Sequence, residues 1–106
     1  MAEKKETRPM VRLKRHLTIE NLWLYVLSLI KRKGEVYAYN LSDEIEKDFY
    51  FRPSRVMIYI VVHMLAGEEL IKGKKKERRV YYTLTKKGDE TLKTAKKYFK
   101  LLSETL

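Results

Sequence analysis

Glu68-Glu69-Leu70-Ile71-Lys72-Gly73-Lys74-Lys75-Lys76-Glu77-Arg78-Arg79-Val80-Tyr81-Tyr82-Thr83-Leu84-Thr85-Lys86-Lys87-Gly88 is the stretch whose reading decides the fold. Leu70-Ile71 and Val80 to Leu84 have the β-branched and aromatic composition of strands. Between them, Lys72, Lys74, Lys75, Lys76, Arg78 and Arg79 stand against the single anion Glu77. The segment therefore reads as a helix end, a short strand, a charged loop, a second strand and the start of a new helix. Cations crowded onto a hairpin tip repel one another unless a polyanion lies nearby.

Downstream, Thr85 is the expected N-cap of a helix from about 86 to the C-terminus. Gly88 falls in its first turn, where helix propensity alone does not favour glycine. Leu92, Ala95, Phe99, Leu102 and Leu106 are spaced three, four, three, four, an a/d seam of two heptads. Residues past about 95 outrun a small domain, so pairing with a second copy is one way to bury that seam. The other is for the helix to fold back on its own domain.

Upstream, a helix is expected from Pro53, a good first helical position, to about 67. Ile58, Val62 and Leu65, with Val61 beside them, form its packing stripe. A second helix should cover about 38–48, with Leu41, Ile45 and Phe49 inward and Asp43, Glu44, Glu46 and Asp48 outward. Another should run from about 19 to 33, capped by Thr18 and ended by Gly34. The basic cluster Lys31-Arg32-Lys33 suits that helix C-terminus, with DNA contact as its alternative. Residues 1–17 read as a basic N-terminal arm, mobile over 1–9 and of undecided structure over 10–17.

The order is helix, helix, helix, strand, loop, strand, helix. That is a mainly α chain with a small antiparallel β-hairpin (α+β), a winged helix-turn-helix with a long C-terminal dimerisation helix. The division is 1–17 arm, 18–85 winged-helix domain and 86–106 dimerisation helix. The 106 residues suffice for one core, and 44% hydrophobic content argues against disorder. A net charge of +10 favours polyanionic partners. Without Cys, disulfides and thiolate chemistry are excluded. No Gln, two Asn and abundant Lys and Glu give a thermophile-like composition. The uncharged run 21–30 is too short to span a bilayer and lacks a signal-peptide cleavage site, so a cytoplasmic protein without membrane contact is expected.

Arg52-Pro53-Ser54 followed by Tyr59, then Glu69-Leu70-Ile71, then Arg79-Val80-Tyr81-Tyr82-Thr83-Leu84-Thr85-Lys86-Lys87-Gly88 resemble the PadR-like family of winged-helix transcriptional regulators over roughly residues 20–92. The resemblance implies a dimeric DNA-binding regulator, often a repressor. Two positions depart from the family pattern. Tyr37-Ala38-Tyr39 stands where His-Gly-Tyr is usual, and Ile60 stands where Pro often follows the helix Tyr. At this length the chain looks like the shorter family type, with one long C-terminal helix and no further domain.

Arg55, Tyr59 and His63 share a face of the 53–67 helix and are the major-groove candidates, with Ser54 placed for a phosphate. Lys74, Lys75, Lys76, Arg78 and Arg79 are the wing's backbone contacts. Met57, Ile60 and Met64 make a third, apolar stripe with three open readings: thymine methyls, cover by the N-terminal segment or a partner, or a helix that no longer reads DNA. The aromatic cluster Tyr37, Tyr39, Phe49, Tyr50 and Phe51 reads as core and core edge, with base stacking as the alternative. Two His residues make a poor metal site, and no phosphate-binding Gly loop, nucleophile–base pair or paired carboxylates are visible. The expected protein is no enzyme and has no cofactor or metal; it is a sequence-specific regulator of double-stranded DNA and a homodimer. A protein-interaction winged helix and a non-specific architectural DNA-binding protein are the rivals. Nothing in the sequence names a small-molecule effector.

Overall fold

The computed structural model describes residues 5–106. The expectation of a mobile arm therefore falls partly on residues 1–4, outside the described residues. Arg8–Leu17 is a helix, α1: the sequence leaves residues 10–17 open, and Arg8 and Pro9, expected in the mobile arm, lie in its first turn. Thr7 Oγ1 accepts from Met10 N and Pro9 sits in the first turn, both ordinary helix-start devices. None of its residues is buried, and Met10, Val11 and Leu13 stand exposed.

Thr18 is not the cap expected for the next helix. Its hydroxyl donates back to the Lys14 carbonyl at 2.7 Å, closing α1. A 3₁₀ turn, Ile19–Asn21, then leads into α2, Leu22–Lys33. Gly34 ends α2 at φ 86°, with its N–H on the Ile30 carbonyl at 2.8 Å. Glu35–Tyr37 forms β1, a strand too short to show in the sequence pattern. A second 3₁₀ turn, Ala38–Asn40, precedes α3, Leu41–Phe49, so the helix expected over 38–48 is divided. The next helix, α4, spans Arg55–Gly67. Pro53 is buried just ahead of it rather than opening it, and Ser54 is the cap, accepting from Met57 N at 3.1 Å.

The hairpin is β2, Ile71–Lys76, and β3, Arg79–Leu84, joined by Glu77-Arg78. Most of the basic residues read as a loop are thus strand residues. With β1 they form an antiparallel sheet of order β1-β3-β2. The last helix, α5, spans Lys86–Thr105 and starts from Thr85, whose hydroxyl accepts from Gly88 N at 3.0 Å.

The core lies where α2, α3 and α4 meet the sheet. Val26, Leu27 and Leu29 of α2, Leu41 and Ile45 of α3 and Ile58 of α4 are fully buried. Val62, Leu65, Leu70, Ile71 and Leu92 complete it. Tyr25 sits edge-on between Phe49 and Phe51, at 4.8 Å from each, and its hydroxyl donates to the Leu17 carbonyl at 2.6 Å. The chain is elongated, 50 × 30 × 21 Å, and every residue of α5 from Lys96 onward is exposed.

Candidate nucleic-acid interface

The hydrophobic stripe of α4 fixes which residues face outward. With Ile58, Val62 and Leu65 buried, Arg55, Tyr59 and His63 come out together on the exposed side. Val56, Ile60 and Met64 stand beside them, 69%, 55% and 57% exposed. Met57 does not belong to that face: it is half-buried against the core. The apolar stripe expected over Met57, Ile60 and Met64 is therefore Val56, Ile60 and Met64. No acidic residue occurs between Ser54 and Gly67. The N-terminal end of α4 carries Arg55 and the cap Ser54, whose hydroxyl proton stays free to meet a phosphate.

Register sorts the wing cations onto two faces. Lys72, Lys74 and Lys76 pair with Thr83, Tyr81 and Arg79, and β1 places Glu35 and Tyr37 beside Thr83 and Tyr81. These residues form the outer face of the sheet. Lys75 pairs with Val80 on the opposite face, the one that carries Val36 and Ile71 into the core. Arg78 lies in the turn, after Glu77 at φ 58°.

Ion pairs separate structural cations from free ones. Lys31 meets Asp89 at 2.8 Å, Arg32 meets Asp48 at 3.5 Å and Lys33 meets Glu44 at 3.6 Å. The basic end of α2 is thus tied to the acidic side of α3 and to the first turn of α5, and makes no cationic patch of its own. Arg52 is held by Asp43 at 2.6 Å and Glu46 at 3.2 Å. The hydrogen bond to Asp43 is the main reason its guanidinium holds its proton even more firmly than usual. Asp89 is held below the ordinary carboxylate range, chiefly by the hydrogen bond from Lys31 and then by that from Lys93. Lys76 reaches both carboxylate oxygens of Glu35 at 3.0 Å. Among the described residues, no carboxylate pairs with Arg55, Lys74, Lys75, Arg78 or Arg79. Among the described residues, Arg55 at the start of α4 and five wing cations, Lys72, Lys74, Lys75, Arg78 and Arg79, are thus uncompensated, as are cations of α1 (Arg8, Arg12, Arg15) and α5 (Lys86, Lys87, Lys96, Lys97, Lys100).

The family model for the transcriptional regulator PadR-like family matches residues 26–94, which include α4 and the wing. The chain belongs to the PadR-like family. A solved PadR-like transcriptional regulator of Bacillus cereus is 32% identical, with 79% of this chain and 85% of that one covered and a TM-score of 0.70. A transcriptional regulator of Clostridium thermocellum is 25% identical, covering 78% and 86% at a TM-score of 0.69. A winged-helix DNA-binding protein from STIV, at 19% identity, covers 78% and 90% at 0.68 and shares the fold alone. None of the curated proteins matches this chain. As a PadR-like protein it is a DNA-binding transcription regulator, and members of the family are not enzymes. No helix among the described residues is long and apolar enough to cross a membrane.

The seam residues of this PadR-like chain divide among three environments. Leu92 is in the chain's own core. Ala95 and Phe99 line a groove of about 730 Å³ with Leu17, Trp23, Leu24 and Tyr98. Leu102 is 39% exposed and Leu106 almost fully exposed. Sequence reasoning does not single out Trp23 or Tyr81 as site residues, and it raises Tyr37 and Tyr39 as core edge, with base stacking as the alternative. Alternation over Tyr37 and Tyr39 carries no sign of the stacking they enter.

Proposed function

We propose that the protein binds double-stranded DNA sequence-specifically as a homodimer and acts as a cytoplasmic repressor. The observation that carries this reading is the exposed face of α4: Arg55, Tyr59 and His63, no acidic neighbour on the helix, and unpaired cations on the wing. Arg55 supplies a bidentate fork for guanine, and Tyr59 and His63 supply hydrogen bonds to bases or phosphates. Val56, Ile60 and Met64 meet thymine methyls on the same groove floor. Arg78, Arg79, Lys74 and Lys75 contact backbone from the wing.

Dimerisation is supported by two apolar faces that the chain leaves only partly covered. Met10, Val11 and Leu13 lie on α1, and Tyr98, Phe99, Leu101 and Leu102 lie on α5. Leu17, at the end of α1, borders one groove with Tyr98 and Phe99 of α5. The division of labour is accordingly 1–17, 18–85 and 86–106, although Gly88 and Leu92 root the last segment in the domain core. Repression is what the family resemblance implies.

Selection of bound duplexes from a random pool tests the reading. A recovered motif that outcompetes random duplex by at least about 10³-fold is expected. Equal binding to all duplexes would favour the architectural rival, and no binding at physiological salt would favour protein interaction. Replacing thymines of the motif by deoxyuridine should weaken binding wherever Val56, Ile60 or Met64 touches a methyl.

The wing is expected to supply sequence-independent affinity. Each phosphate neutralised contributes about −0.9 to the slope of log affinity against log salt. Lys76 is already paired with Glu35, so Lys74 and Lys75 should account for most of the effect of replacing all three by Ala. The triple variant should flatten the slope by about one to two units per wing, for specific and random duplexes alike. An unchanged slope in a folded variant would remove the wing from the interface.

A further inference from the structure

Two arginines and three tyrosines form one continuous stack at the junction of α4 and the wing. Arg55 Cζ lies 4.2 Å from the centre of the Tyr39 ring. Tyr39 stacks on Tyr37, centroids 5.9 Å apart and planes 26° from parallel. Arg79 Cζ lies 5.0 Å from the Tyr37 ring centre. Tyr37 also meets Tyr81 at 5.7 Å, and Lys76 Nζ stands 5.4 Å over Tyr81. The stack thus runs from the first residue of α4, through the 38–40 turn and β1, to the first residue of β3.

The partners of these cations set them apart. Arg32, Arg52, Lys31 and Lys33 are held by carboxylates, which neutralise them, even though Arg32 also lies 5.1 Å over the Phe49 ring. Arg55 and Arg79 are held by neutral rings, which orient a guanidinium and leave its charge intact. Stacking uses the face of the planar group, while its N–H donors lie in the plane and remain free for guanine or phosphate. A ring that restricts the rotamers beforehand reduces the ordering cost when DNA arrives.

We infer that Tyr39 and Tyr37 are positioning residues that hold Arg55 and Arg79 edge-out toward DNA and fix the spacing between the groove-reading helix and the wing. This rests on the DNA reading proposed above. Tyr39 serves the base-reading arginine and Tyr37 the backbone-contacting one, so their removal has different signatures. A ring that only covered the sheet would affect neither base preference nor salt slope.

The test compares Tyr39→Leu, Tyr39→Phe, Arg55→Ala and the double variant Tyr39→Leu/Arg55→Ala, all checked for folding by thermal melts, on the selected duplex and on duplexes changed one base pair at a time. Tyr39→Leu should weaken specific binding about three- to tenfold, as loss of a cation–π contact implies. It should relax preference at the same base pair as Arg55→Ala. The double variant should bind no worse than Arg55→Ala, because the two act through one contact. Tyr39→Phe keeps the ring and should retain the parental preference. Tyr37→Leu should instead flatten the salt slope by about one unit, as Arg79→Ala does, without changing base preference. If Arg55→Ala relaxes one base position and Tyr39→Leu does not, the stack is overturned and the DNA reading stands. If Arg55→Ala changes nothing on any duplex, both fall. A Tyr39→Phe variant as impaired as Tyr39→Leu overturns the positioning role in favour of a direct hydroxyl contact.

Discussion

Phe99→Glu combined with Leu102→Glu is expected to leave a protein that sediments as a monomer at micromolar concentration, where the parent sediments as a dimer. Phe99 is 37% and Leu102 39% exposed in the isolated chain, and a partner helix laid along α5 would cover what remains. Two carboxylates buried there without partners should cost several kcal/mol. The fold should persist, because the core contact of α5 is made about two and three turns before Phe99, by Leu92 and Gly88. DNA binding should fall with the dimer. Two linked half-site contacts gain about 10²- to 10⁴-fold over one, and a monomer forfeits that gain. Lys97→Glu, which changes charge off the seam, is the control and should remain dimeric. A double variant that is still a dimer would place the interface elsewhere, for example on α1 alone.

The sequence was legible where periodicity and composition were strong. The stripe of Ile58, Val62 and Leu65 identified the buried side of α4 and thereby the exposure of Arg55, Tyr59 and His63. The hairpin was legible from Leu70-Ile71 and Val80 to Leu84, but its extent was not: Lys72 to Lys76 read as loop, whereas they extend the first strand to a two-residue turn that sets the register. Three features were hidden. Strand β1 is only Glu35–Tyr37, too short for any alternation to register. Thr18 has the chemistry of an N-cap, but its hydroxyl serves the helix behind it. The apolar residues of α4 were misassigned by one, because Met57 and Val56 are equivalent in composition and differ only in which way the helix is turned.

Cation pairing was the least legible part of the site. Lys31-Arg32-Lys33 and Lys74-Lys75-Lys76 look alike as strings. In the fold the first cluster faces Asp89, Asp48 and Glu44, and only one member of the second, Lys76, finds a carboxylate. Long-range contacts decide whether a basic run is spent on the protein or left for a polyanion, and spacing along the chain does not carry that information. Of the stack, only Tyr37–Tyr81 is set by sheet register, and Arg55–Tyr39 comes from the close approach of α4 to the 38–40 turn, long-range contacts that the chain order does not carry.

Gly88→Ala should give the largest loss of stability of the chain's glycine-to-alanine changes, while Gly67→Ala should give none. A Cβ on Gly88 would stand 2.0 Å from the Leu70 carbonyl oxygen and 2.9 Å from the Leu84 side chain. The oxygen cannot yield easily. It accepts from Thr85 N at 3.1 Å and from the Thr85 hydroxyl at 3.0 Å, the contacts that lock α5 onto the end of α4. Relief would require moving the helix that also buries Leu92. Overpacking of this kind costs about 3 kcal/mol, which for a domain of this size lowers the melting temperature by roughly 12–24 °C. The glycine that propensity disfavours in a first turn is thus required by the close approach of the Leu70 backbone. Gly67, at the end of α4, has no atom within 4 Å of an added Cβ and a negative φ, so alanine there should stabilise by about 0.5–1 kcal/mol. Denaturant melts of the two variants should move in opposite directions; a Gly88→Ala protein as stable as the parent would show that α5 is not locked against Leu70.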